Sequence, residues 1–172
     1  MNSYSPLIDR AFKEMDGSSM RSSLVAQKPL SAGVTATLKK TDSAELVAPR
    51  KVHSGAHAEL IKAALFLWND EFDLAHEAAQ EAENHDGSYW HAILHRREPD
   101  YSNARYWYDR AGDHPVFGEM QTCFTGWSPA SFVAGCQREK SAEKIKPLLA
   151  MQVKEFELLF DHTFQLAIGG GK

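Results

Sequence analysis

Cysteine is scarce in this chain, and the usual catalytic signatures are missing. Only Cys123 and Cys136 occur among 172 residues, and they form no CxxC pair. A disulfide scaffold is therefore not implied, and reduced thiols in a cytoplasmic protein are the simplest expectation. No apolar run reaches the roughly 18 residues that a membrane-spanning helix needs. There is no Gly-rich phosphate loop, no GxSxG and no HExxH, which removes the sequence grounds for a nucleotide fold, an α/β-hydrolase or a zincin. The opening stretch, MNSYSPLIDRAFKEMDG, carries early acidic residues and no apolar core, so no secretory signal is expected. Charge of one sign is lacking too. The net charge is −4 and the pI about 6.0, which gives no nucleic-acid signature.

What is present suits one soluble globular domain: 43% hydrophobic and 24% charged residues in a chain long enough to bury a core. The charge is unevenly spread. Residues 1–52 hold 8 Lys and Arg against 5 Asp and Glu, whereas residues 53–172 hold 11 against 18. The basic arm is dilute, with no run of like charges, and reads as a solvated segment.

Periodicity divides the chain into 1–52, 53–168 and a flexible tail at 169–172. Leu7, Ile8, Ala11, Phe12 and Met15 predict a short first helix. Residues 17–52, rich in Ser, Ala, Thr and Lys, predict a mostly extended arm, with Val34–Leu38 as a candidate strand. From His53 the pattern is helical. Ala58, Leu60, Ile61, Ala64, Leu65, Leu67 and Trp68 form one apolar stripe, and Phe72, Ala75, Ala79 and Ala82 mark a second, with Asp70 as its cap. Asn84-His85-Asp86-Gly87 is expected to end that helix. A third helix runs from Ser88 to about Arg97, and Glu98-Pro99-Asp100 turns into a fourth ending at Ala111 before Gly112. Residues 113–127 read as a loop anchored by Phe117 and Trp127. Ser128 and Ser141 cap two further helices, the last a long one bearing Leu149, Val153, Phe156, Phe160, Phe164 and Ala167. The fold class is thus all-α: tetratricopeptide-like α-hairpins closed by a long C-terminal helix, with an extended N-terminal arm.

The segment Ser88–Phe117 concentrates the chemistry. On a wheel of the third helix, Tyr89, Trp90, Ile93 and Leu94 form the buried stripe, and His91, His95 and Glu98 share a narrow sector at its edge. Imidazoles at i and i+4 point the same way one turn apart, the spacing that lets two rings reach one ion. Glu98 is then a third ligand or an acceptor for an imidazole N–H. His53 and His57 repeat the spacing, so His57 is a further candidate ligand, although its place in an apolar stripe suits a core histidine better. Arg97 falls on the buried side, where a guanidinium must be paired. Asp100, Glu98 and Asp109 are its nearest partners in sequence, and stapling of the hairpin turn is its favoured role. With Arg96 it would instead clamp an anion or carboxylate. Tyr106 lies on a separate side of the fourth helix and is expected to line a cleft.

The run Asp100-Tyr101-Ser102-Asn103-Ala104-Arg105-Tyr106-Trp107-Tyr108-Asp109-Arg110-Ala111-Gly112 resembles the second helix of a Sel1-type repeat of the tetratricopeptide class, with a looser match in the preceding hairpin. Coverage is about residues 55–112, and the turn at Pro99 is shorter than such repeats use. The pattern Trp90-His91-x-x-x-His95-Arg96-Arg97-Glu98-x-Asp100-x-x-Asn103-Ala104-x-Tyr106-Trp107, followed by Gly112-Asp113-His114-Pro115, is also similar to a family of uncharacterised bacterial and fungal proteins. That resemblance implies a shared site without an activity.

Three functional expectations follow. The leading one is a binding domain in which His91, His95, Arg96, Arg97, Glu98 and Tyr106 form a pocket for a small polar or anionic ligand, or a protein segment. The second is a metal-dependent hydrolase, with His91 and His95 holding a divalent ion such as zinc and His57 or Glu98 completing the site. The third is a purely structural interaction module. Neither nucleic acid nor membrane is an expected partner.

Overall fold

Side-chain oxygens start nearly every helix of this chain. Ser5, Ser31, Asp42, Ser54, Asn84, Asp100, Ser128 and Ser141 each accept a hydrogen bond from a first-turn N–H. They open α1 (Pro6–Glu14), α2 (Ala32–Lys40), α3 (Ser43–Leu46), α4 (Gly55–Trp68), α6 (His85–Arg97), α7 (Tyr101–Ala111), α9 (Pro129–Arg138) and α10 (Ala142–Ile168). Between these lie α5 (Phe72–Gln80) and α8 (Pro115–Cys123). The cap of α8 is unusual: the ring of His114 takes the place of a short oxygen side chain. The computed structural model describes residues 4–80 and 82–170, and every regular element among them is helical. Among the described residues no helix is long and apolar enough to cross a membrane.

Helix α4 packs on α5 and α6 on α7, and α10 lies across α4, α8 and α9. A seam of rings joins the N-terminal segment to α10: Phe12 meets Trp68 edge-on at 5.7 Å, and Trp68 lies 4.6 Å from Phe156. At the other end of α10 the Ala167 carbonyl accepts from the backbone N–H of both His53 (2.7 Å) and Ser54 (3.2 Å), clipping the start of α4 to the last turn of α10.

Several local expectations are corrected. Residues 17–52 are not mostly extended. They hold a 3₁₀ turn (Ser19–Arg21), α2 and α3, and bury Met20, Val34, Leu38, Leu46 and Val47 in the common core. Val34–Leu38 is helical, because Ser31 caps the segment and no neighbouring strand exists among the described residues to pair with it. Asn84-His85-Asp86-Gly87 does not end a helix but begins α6, with Asn84 as cap. The region 113–127 contains α8. Of the tail, Gly171 and Lys172 lie outside the described residues.

Helix α6 is the centre of the molecule. From Asp86 to Arg97 every residue is buried, because α4, α5 and α7 pack on it and α10 meets its side chains through Glu155 and Thr163. The stripe read from the wheel is correct, but the opposite face meets protein rather than water. Close approach fixes its first turn. A Cβ on Gly87 would lie 2.1 Å from the Ala82 carbonyl oxygen, so glycine is required there.

Candidate functional site

Burial of α6 on all sides forces its polar side chains into three separate groups. The first holds the arginines. Arg96 is fully buried and donates to Glu155 Oε2 (2.5 Å) and Gln152 Oε1 (3.3 Å), with its guanidinium 4.2 Å from the Phe132 ring centre. Glu155, itself fully buried, also accepts from Tyr108 Oη (2.6 Å) and Tyr89 Oη (3.2 Å). Burial works to lower the Arg96 pKa, but the adjacent Glu155 carboxylate outweighs it and holds the guanidinium above its ordinary value. Burial likewise lifts Glu155, against the pull of Arg96 and the two hydroxyls. Arg97 turns the other way and donates to Asp70 Oδ1 (2.6 Å), Ser19 Oγ (2.7 Å) and the Ser23 carbonyl (3.0 Å). Its partner is therefore Asp70 and not Glu98, Asp100 or Asp109. Asp70 in turn serves as that acceptor and not as the cap of α5. Each arginine is closed by its own carboxylate, Glu155 for Arg96 and Asp70 for Arg97, and this pairing does not form the joint clamp expected of them.

The second group is the histidine pair read from the sequence. His91 Nδ1 donates to the Gly87 carbonyl (2.9 Å), and its ring stacks on Trp107 at 4.5 Å. His95 lies 3.3 Å from the Glu98 carboxylate and within hydrogen-bond reach of the Asn103 side chain. His76 on α5 meets both rings edge-on, at 4.9 and 5.3 Å. Burial lowers the pKa of His91, and burial with the neighbouring His76 lowers that of His95. His91, His95 and Glu98 share one edge of α6 as expected. However, they do not belong to the group whose ligand atoms converge closely enough to hold an ion. Tyr106 is half exposed and packs on Trp107 and Arg110.

The third group converges on Asp86, in the first turn of α6. Its Oδ1 lies 3.1 Å from His114 Nε2 and 3.1 Å from His162 Nε2, and its Oδ2 lies 3.3 Å from His57 Nε2. Four elements meet here: α4 brings His57, α6 brings Asp86, the α8 cap brings His114 and α10 brings His162. His57 thus joins Asp86 and does not complete a site with His91 and His95. Its Nδ1 bonds Ser54 Oγ at 2.7 Å, which orients the ring. His114 Nδ1 accepts from the Val116 N–H (3.2 Å), leaving the proton of the neutral ring on Nε2, directed at Asp86. Burial alone would raise the Asp86 pKa, but hydrogen bonds from His114, His162 and His57 hold it far below the ordinary carboxylate range.

This group borders open space. A cleft of about 310 Å³ is lined by His85, Asp86, Asp113, His114 and His162, together with Ala111 and Pro115. The His114 side chain is almost fully buried, whereas that of His162 is 25% exposed and faces solvent from the rim. A carboxylate and three imidazoles, one of them at the rim, can hold a cation, shuttle a proton or orient a polar ligand.

Sequence reasoning missed Asp86 and His162. Asp86 sat in a stretch read as a helix terminator, and His162 lies beside the Phe160–Phe164 stripe with no motif around it. His114 was visible in Gly112-Asp113-His114-Pro115, but only as part of a loop. Glu155 and Gln152 did leave a signal, because both fall on the helical face of Phe156, Leu159 and Thr163, where a polar residue must find a buried partner. No family model, no curated protein and no solved structure matches this chain.

Proposed function

We propose that this chain is a cytoplasmic, tetratricopeptide-like helical domain that binds a small polar or anionic ligand in the cleft beside Asp86, His114 and His162. One observation carries the reading: the Asp86 group, in the first turn of α6, borders an open cleft. The arginines expected to clamp a ligand are each paired with an internal carboxylate and inaccessible. The α4–α5 and α6–α7 pairing supports the hairpin arrangement, and the two free thiols, Cys123 exposed and Cys136 buried, suit a reducing compartment.

Amide-resolved NMR titration with a panel of small carboxylates and phosphates tests the reading, using metal-stripped and zinc-loaded protein. Shifts are expected at Asp86, Asp113 and Val116, and their loss in His162→Ala. Shifts confined to the surroundings of His91 and Trp107, or none in either form, would overturn it.

The structural-module reading also has a specific observation behind it. Arg96, Arg97 and their carboxylates bind four separate parts of the chain together, so the conspicuous HRRE segment serves the fold. On this reading the segment drawing the eye in the sequence and the segment binding the ligand are different.

A further inference from the structure

The geometry points to a mononuclear site for a divalent transition ion of the zinc class, held by Asp86, His114 and His162 at the head of the cleft. The inference rests on the cleft being the binding site, and it supplies the cation that an anionic ligand would meet there.

Four observations support it. Three imidazole Nε2 atoms lie 3.1–3.3 Å from one carboxylate, and the ligand atoms of Asp86, His114 and His162 all lie within 4.8 Å of one another. One ion can replace the protons now shared between these groups with little movement of the side chains. The donor set is two imidazole nitrogens and one carboxylate oxygen, which suits zinc or cobalt and is too nitrogen-rich for magnesium or calcium. The supporting contacts are built as metal sites require: His57, its ring fixed by Ser54 Oγ, holds the other carboxylate oxygen of Asp86, which is itself set in the first turn of a helix that is buried throughout. Finally, the three donors come from sequence-distant elements, yet all line the cleft, where the fourth coordination position remains for water or an anion.

His114 adds a signature that a merely structural cluster would lack. A neutral imidazole that ligates through Nε2 must carry its proton on Nδ1. In the present structure Nδ1 accepts from Val116, so metal loading moves the proton across the ring and opens the Val116 N–H···Nδ1 contact. Loading therefore has a readout at the cap of α8 that does not depend on activity.

The test uses the full chain without an affinity histidine tag, stripped with chelator and titrated with ZnCl₂ by calorimetry. Cobalt substitution follows, to read coordination from its visible bands, and imidazole nitrogen NMR reports the tautomers. One zinc per chain is expected, with a tetrahedral cobalt spectrum and a tautomer switch at His114. His162→Ala, at the exposed rim, should fold normally and weaken zinc by more than the roughly 10- to 100-fold that losing a metal's outer partner costs. Asp86→Asn should do the same, and His95→Gln, outside the group, should leave zinc binding intact. Folded protein that takes up no stoichiometric zinc or cobalt would overturn the inference, as would binding that survives His162→Ala and Asp86→Asn. Zinc uptake with no response to the carboxylate and phosphate panel would keep the metal site and reject the ligand reading. A panel response that is identical in stripped protein, without zinc uptake, would do the reverse.

Discussion

Replacing Glu155 with Gln should be among the most damaging single substitutions in this protein, although it changes one atom. Glu155 and Arg96 are both fully buried, and the carboxylate is the acceptor for Arg96 Nη2, Tyr108 Oη and Tyr89 Oη. The amide can keep an oxygen for both tyrosine hydroxyls, which share Oε1, but puts an NH2 where Oε2 faced Arg96 and leaves the guanidinium without a counter-charge. Breaking a buried pair by removing one partner costs about 3–5 kcal/mol, because the remaining charge has no water to return to. Whole domains are stable by about 5–15 kcal/mol, so Glu155→Gln should remove a large share of the total. Urea denaturation followed by tryptophan fluorescence is the assay. With a slope of about 1–3 kcal/mol per molar, a loss of about 4 kcal/mol moves the midpoint by roughly 1.5–4 M. The double variant Arg96→Met/Glu155→Leu removes both charges and should regain most of that loss, since apolar replacements of buried pairs are often neutral or stabilising. A single variant that costs under about 1 kcal/mol, or a double variant no better than the single, would refute the argument that a charged pair sits in this core.

Three further outcomes are expected. Gly87→Ala places a Cβ against the Ala82 carbonyl oxygen and should cost about 1–3 kcal/mol, read as a lowered Tm, with cleft binding weakened because Asp86 is the adjacent residue. Acid should destabilise the fold below about pH 6.5: His91 and His95 have pKa values lowered by burial, so the unfolded chain takes up protons that the folded chain refuses. Stability then rises with pH through that window, and His95→Gln should flatten the rise in urea midpoints measured from pH 5 to 7. Tyr106→Ala, at a half-exposed position, should change stability by no more than about 0.5 kcal/mol and leave ligand titrations at the cleft unaltered.

The sequence carried the helical architecture well because helix periodicity and capping are local. Ser54, Asp100, Ser128 and Ser141 all lie where short oxygen side chains precede apolar stripes, and all cap helices. Legibility failed where structure depends on what lies opposite. A wheel assumes that one face meets water, and α6 has no such face. His91, His95 and Glu98 were therefore grouped correctly, but they were not set in a cleft. The same limit hid the Asp86 group. Its members come from positions 57, 86, 114 and 162, and no spacing within one helix relates them. Arg97 illustrates both sides: its need for a buried partner was readable from its position in the stripe, and its choice of Asp70 over nearer carboxylates was not.

The contacts of α10 also bear on how the chain comes into being. Glu155 and Gln152 serve Arg96, Thr163 accepts from Trp90, and the Ala167 carbonyl receives the first amides of the α4 segment. Among the described elements α10 leaves the ribosome last. Until it arrives, the earlier helices have an uncompensated guanidinium and exposed rings, and His57, Asp86 and His114 have no His162 beside them. Helices α4 to α7 can form during synthesis, but the native arrangement of their side chains must wait for α10. A nascent chain stalled before residue 150 should therefore be a protease-sensitive, chaperone-binding intermediate, and the emergence of α10 should complete core and cleft in one step.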